Sequence, residues 1–111
     1  MELGTFSVSL AVKDINKSID FYGILGFKVI FDHRDQNWAI LQNDKAIIGL
    51  FQGMFEENIM TFNPKDVRGI QAQLLKAGVE LNVKADPDTT GPAHISFTDP
   101  DGNAILIDQH E

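Results

Sequence analysis

Only a few places in the chain carry residue types able to do chemistry. In Ala93-His94-Ile95-Ser96-Phe97-Thr98, alternation sets His94 and Ser96 on one strand face and Ile95 and Phe97 on the other. An imidazole titrates near neutrality, so His94 is the candidate catalytic residue, as a general base, or else a hydrogen-bonding contact to a ligand. No carboxylate partner for it can be picked out by spacing, and the plainer reading is a partly exposed His bonded to a neighbouring strand. Asp108, His110 and Glu111 look like an acid–imidazole group, but they stand at a chain end, where fraying favours a solvated role. His33, Arg34 and Asp35 read as a solvated hairpin tip, with a rim contact to an anionic ligand as the alternative. With no cysteine in the chain, a thiol nucleophile, thiolate metal ligands and a disulfide framework are all excluded, which fits a reducing compartment.

These groups are positioned by a repeat. At an offset of 52 residues Lys13-Asp14-Ile15 recurs as Lys65-Asp66-Val67, and Leu25-Gly26-Phe27 as Ala77-Gly78-Val79. Each copy supplies an Asp N-cap, an amphipathic stretch and a closing Gly, which predicts helices over about 15–25 and 67–77. Ile15, Ile19, Tyr22 and Phe21 are expected to face the core from the first, and Val67, Ile70, Leu74 and Ala77 from the second. A strand is expected before each helix, the first over 6–12, with further strands over 27–32, 38–42 and 46–51 after the first helix and over 79–83, 93–98 and 104–108 after the second. The first places Phe6, Val8, Leu10 and Val12 toward its helix and Ser7, Ser9 and Ala11 away from it.

Each half is therefore βαβββ, one about residues 5–52 and the other about 58–109, within a single domain of 1–111. The fold class is α+β: two modules forming a curled, open eight-stranded sheet around a cavity, with the helices outside. The half-polar strand at 93–98 either lines that concavity or faces bulk water. Near the C-terminus, Phe97-Thr98-Asp99-Pro100-Asp101-Gly102-Asn103 makes a sharp turn that sets the face on which Leu106 emerges.

Sixteen acidic against nine basic residues give a net charge of −7, which repels a phosphate backbone, so nucleic acid is not an expected partner. No apolar run approaches the roughly 20 residues of a membrane span, and the N-terminus lacks secretion-signal blocks. The reading is a soluble, cytoplasmic protein. Trp38, Phe51, Met54, Phe55 and Met60 give the middle of the chain its apolar weight. Such aromatics are more often core than ligand platform, whereas Met54 and Phe55, lying between the modules, suit a pocket mouth or a dimer contact.

The paired modules, the opening SVSLAVKDINKSIDFYGILGF from Ser7 and the closing F-x-D-P-D-G-N-x-I from Phe97 resemble the vicinal oxygen chelate superfamily of glyoxalase I, bleomycin-resistance proteins and extradiol dioxygenases. In metal-using members the resemblance implies a His or Gln on the first strand, Glu on the fourth, His or Glu on the fifth and Glu on the eighth. Those places fall here on Ser7, Gly49 (Ile48 if the register slips by one), Ile59 and Leu106. None offers a charged or imidazole donor, so no metal cofactor is expected.

The leading expectation is a metal-independent protein that binds a small apolar or aromatic molecule through Ser7, Ser9, Trp38, Gly49, Phe51, Ile59, Thr61, His94, Ser96 and Leu106. The resemblance also implies a homodimer. The alternatives are a metal-dependent lyase, isomerase or dioxygenase with a displaced or dimer-shared site, and a protein-interaction module using the sheet edges or the Met54–Phe55 patch.

Overall fold

The computed structural model describes residues 1–111, an α+β chain of two helices and seven strands. They are β1 (Thr5–Val12), α1 (Ile15–Ile24), β2 (Lys28–His33), β3 (Trp38–Asn43), β4 (Ala46–Gln52), β5 (Ile59–Asn63), α2 (Val67–Lys76), β6 (Ala93–Thr98) and β7 (Ala104–Gln109). Contacts divide the chain into two units, one of Ser7–Asn58 and the other of Met1–Phe6 with Ile59–Glu111.

Both helices start and stop as the repeat predicts. Asp14 Oδ1 accepts the Lys17 N–H at 3.2 Å, and Asp66 Oδ1 accepts the Gly69 N–H at 3.0 Å. At the other ends Gly26 and Gly78 take φ of 92° and 85°. There the Phe27 N–H returns to the Tyr22 carbonyl and the Val79 N–H to the Leu74 carbonyl, so the last turns are satisfied. A second cap lies outside the predicted repeat. Gln52 Oε1 accepts the Ile15 N–H, and Gln109 Oε1 accepts the Val67 N–H, so the last strand of each unit reaches across to hold its own helix.

In the first unit the strands lie in the order β2-β3-β4-β1, with β1 parallel to β4 and the other neighbours antiparallel. Alternation puts Leu10, Val12, Ala39, Leu41, Ile48 and Leu50 against Ile15, Ile19, Tyr22 and Phe27, the core of this unit. Phe21, expected in that core, is 58% exposed: α1 turns only Ile15, Ile19 and Tyr22 inward, and Phe21 lies well around the helix from them.

The second unit has the order β5-β7-β6, β5 parallel to β7 and β6 antiparallel to it. Val67, Ile70, Ile95 and Ile107 form its core, with Phe62, Leu74, Phe97 and Ile105 packed around them. Ala77 is exposed, because it is the C-cap and not part of the packed face. Phe6, expected over α1, is 45% exposed with its ring 5.1 Å from that of Phe62.

The strand expected over 79–83 does not form; only an isolated bridge joins Val83 to Ser96. A ladder needs successive backbone groups aimed at β6, and here Ser96 alone serves Asn82 and Val83. Two residues later the chain turns to α2 instead. The Ala85 N–H and C=O both bond the Gln71 side chain, at 2.8 and 2.9 Å, and the Arg68 guanidinium donates to the carbonyls of Asp86 and Gly91 and to the Thr89 hydroxyl. Helix side chains thus take the place of a strand partner.

Candidate functional site

The face of the first unit's sheet turned away from α1 is built from alternate residues of four registered strands. Ser9 pairs with Gly49 and Gly49 with Ile40; Ala11 pairs with Phe51 and Phe51 with Trp38; Trp38 in turn pairs with His33. Ile48 packs with the core on the other side, so Gly49 is the β4 residue on this face.

Along it runs a row of rings. His33 stacks on Trp38 at 4.2 Å between centroids and 16° between planes, Trp38 lies 6.1 Å from Phe51 at 12°, and Phe51 lies 5.4 Å from Phe55 at 44°. All four are half-buried. Gly49 makes the arrangement possible. A methyl at that position would lie 2.6 Å from Phe51 Cε2 and 3.2 Å from Ile40 Cδ1, so the ring can lean over the strand only because no side chain stands there. Gly49→Ala is therefore expected to leave stability within about 1 kcal/mol while lifting the Phe51 ring off its place. The sole tryptophan reports this: its emission maximum and near-UV dichroism should shift, and unchanged spectra would show the ring is not held by that gap.

Ser7 and Ser9, on the corresponding side of β1, are 8% and 6% exposed, more buried than the apolar Phe6 beside them. At the end of the row the Arg34 guanidinium is held by Asp32, with Nη2 to Oδ2 at 2.6 Å, and also reaches Asn16. The side-chain hydrogen bond from Arg34 keeps the Asp32 carboxyl below its ordinary range, so an anion at this rim would have to displace a bound carboxylate.

In the second unit the face away from α2 carries Ile59 opposite Ala104, Thr61 opposite Leu106 and Leu106 opposite Ser96, so three expected site residues form one row. Leu106 thus emerges on the helix-free side. His94 stands opposite Asp108 but is exposed, and Asp108 Oδ2 contacts His110 Nε2 at 3.2 Å. His110 Nε2 also lies 3.2 Å from Asn63 Nδ2. The chain end is better tied than fraying suggested, because Gln109 is buried under its helix-capping bond. A recess of about 330 Å³ beside it is lined by Asn63, Pro64, Lys65, Gln109, His110 and Glu111, none of them an expected site residue.

To a divalent cation Ser7 would offer a hydroxyl, Gly49 bare backbone, and Ile59 and Leu106 hydrocarbon. Those groups do not replace the water such an ion must shed. No three His, Asp or Glu side chains come together elsewhere in an arrangement able to hold an ion. Each of the four residues, taken by itself, is a poor metal donor.

Sequence reasoning named Trp38 and Phe51 but missed His33 and Phe55 as members of the row. The available signal was hairpin register: the turn between β2 and β3 sets His33 across from Trp38, as the turn between β3 and β4 sets Trp38 across from Phe51.

No helix is long and apolar enough to cross a membrane. A sequence search of curated proteins finds no match. Among solved structures, a glyoxalase/bleomycin resistance protein/dioxygenase superfamily member from Vibrio splendidus 12B01 is similar at TM-score 0.69 and 19% identity, over 94% of this chain and 97% of that one. A protein described as an NAD-dependent benzaldehyde dehydrogenase from Legionella pneumophila is similar at TM-score 0.71 and 19% identity, over 96% and 99%. A catechol 2,3-dioxygenase is similar at TM-score 0.66 and 20% identity over 98% of this chain but 43% of its own length. At these identities the likenesses speak to the fold alone. The model of the Glyoxalase/Bleomycin resistance protein/Dioxygenase superfamily matches residues 5–107, and the chain belongs to that superfamily.

Proposed function

We propose that this protein is a metal-independent member of the superfamily that binds a small, flat aromatic or apolar molecule on the helix-free sheet face, in the manner of a bleomycin-resistance protein. The observation that carries the reading is the half-buried row His33–Trp38–Phe51–Phe55, built over Gly49. Stacked rings that remain partly open offer a planar guest an offset-stacking surface worth about 0.5–1.5 kcal/mol per ring pair beyond apolar burial. Ser7, Ser9, Trp38, Gly49 and Phe51 are the proposed contacts, with the Ser hydroxyls setting orientation. Ile59, Thr61, His94, Ser96 and Leu106 make a second neutral face of the same composition and are proposed ligand contacts there, His94 as a hydrogen-bonding group. The donor chemistry of Ser7, Gly49, Ile59 and Leu106 supports the metal-independent reading. We take the protein to be a cytoplasmic homodimer, as the cysteine-free sequence and the superfamily suggest.

The test uses Trp38, the one tryptophan, as its own probe. Titration with a panel of phenyl, naphthyl and bithiazole compounds should give at least one saturable change in its emission. At 100 times Kd the same compound should raise stability by about 2.7 kcal/mol. Phe51→Ala should weaken that binding about tenfold or more. If no compound moves either signal, or if protein purified without chelator or tag carries near-stoichiometric metal, the reading is overturned.

A further inference from the structure

One ring of the row can change its charge. Trp38, Phe51 and Phe55 are neutral at any pH, whereas an imidazole takes up a proton between about pH 5 and 8. The His33 ring lies 4.2 Å from that of Trp38 with 16° between planes, well inside the roughly 6 Å over which a cation is drawn to an indole face. Protonation therefore tightens this stack. The charge stays at the end of the row and does not swing out into water.

The charged groups around His33 leave it as the cation a guest would meet there. The β2–β3 register sets His33 opposite Trp38 on the helix-free face and Asp32 opposite Ala39, which packs under α1. Arg34 is the obvious contact for an anion, but it serves that other side. Its Nε and Nη2 donate to the two Asp32 oxygens at 2.9 and 2.6 Å, and its Nη1 reaches Asn16 of α1 at 3.3 Å. Asp20, also on α1, acts on the same guanidinium. β3 carries no charged residue, and the turn over 34–36 adds only Asp35, which is exposed. Glu56 and Glu57 follow Phe55 at the far end of the row, and Lys13 follows β1, which is separated from β2 by β3 and β4.

We propose that His33 is a specificity-determining residue of the ring row that reads the charge of a planar guest. Protonated, it draws aromatic carboxylates or sulfonates onto the row and turns planar cations away; uncharged, it is one more neutral ring. This rests on the ring-row reading and adds to it the class of guest and the residue that selects it.

The test compares three two-ring guests of different charge, naphthalene-2-sulfonate, neutral 2-naphthol and N-methylquinolinium, by calorimetric titration at about pH 5.5 and about pH 8. With wild-type protein the sulfonate should bind about threefold or more tighter at the lower pH and the quinolinium about threefold or more weaker, while 2-naphthol keeps its affinity. His33→Phe keeps a ring on Trp38 and should remove both pH effects. That separates His33 from His94 and His110, which still titrate in the variant. His33→Arg supplies a flat, permanent cation able to stack and should hold the sulfonate preference at both pH values. In the free protein, Trp38 emission should titrate over the same range in wild type and stay flat in His33→Phe. Wild-type and His33→Phe affinities with the same pH dependence overturn this inference and leave the ring-row reading standing. Absence of binding by all three guests at both pH values overturns the ring-row reading, and this inference with it.

Discussion

Leu50→Ala is expected to destabilise the protein by roughly 2–5 kcal/mol. Leu50 is 0% exposed on β4, which has β3 on one side and β1 on the other. It pairs with Ala39 and Leu10 and packs with Ile15 and Leu41 under α1. Truncation removes a fully buried side chain, and neither neighbouring strand can close in without breaking its ladder, so a cavity stays. For a chain near 100 residues each kcal/mol lowers the melting temperature by roughly 4–8 °C, which puts the drop at roughly 10 °C or more. Ile24→Ala is the contrast: at 84% exposure on α1 it should move stability by less than about 0.5 kcal/mol. Equal melting temperatures for the two variants would show that the core of the first unit is not where the contacts place it.

That core was legible because strand alternation and helix period are strong signals, and Leu10, Val12, Leu41 and Leu50 obey them. The caps were legible because Asp14 and Asp66, Gly26 and Gly78 act on residues beside them in sequence. What failed to show were side chains acting at long range. Gln52 and Gln109 do the same job for α1 and α2, but they are 57 residues apart where the caps are 52 apart, so the repeat does not align them.

The Asp99–Asn103 turn was read from Pro100, Asp101, Gly102 and Asn103, yet its hub is Asp99. That carboxylate accepts the Asn103 side-chain amide and the N–H groups of Asn103 and Asp101; the Asn103 side chain contributes most to holding it below the usual carboxylate range. For the candidate site, residue types pointed to Trp38 and Phe51, but stacking depends on register, and on the missing side chain at Gly49 that lets Phe51 lean. A glycine in a strand reads as a weak point until the ring that occupies its space is known.

Gln71→Leu carries the same lesson to its largest consequence. In sequence Gln71 is one more polar residue on an amphipathic helix; in the fold it is 5% exposed and its amide closes a two-way bond with the backbone of Ala85. Leucine fills the space but leaves a buried N–H and a buried C=O without partners, at about 1–3 kcal/mol each. Some of that is recovered as the 82–91 segment shifts toward water, so a net loss of about 2–4 kcal/mol is expected. The segment has no ladder to fall back on beyond the single Val83–Ser96 bridge.

Hydrogen exchange should therefore localise the damage. The Ala85 amide should lose protection first, while Ile95 and Ile107, inside the β6–β7 ladder, keep theirs until global unfolding. Gln71→Glu separates the two bonds, because a carboxylate still accepts the Ala85 N–H but has no hydrogen to donate to the Ala85 carbonyl. It should sit between wild type and Gln71→Leu at low pH, where the protonated acid can donate, and fall toward Gln71→Leu as the acid ionises. If Gln71→Leu unfolds at the wild-type denaturant concentration with Ala85 still protected, the side-chain clamp is not what holds this segment in place of an eighth strand.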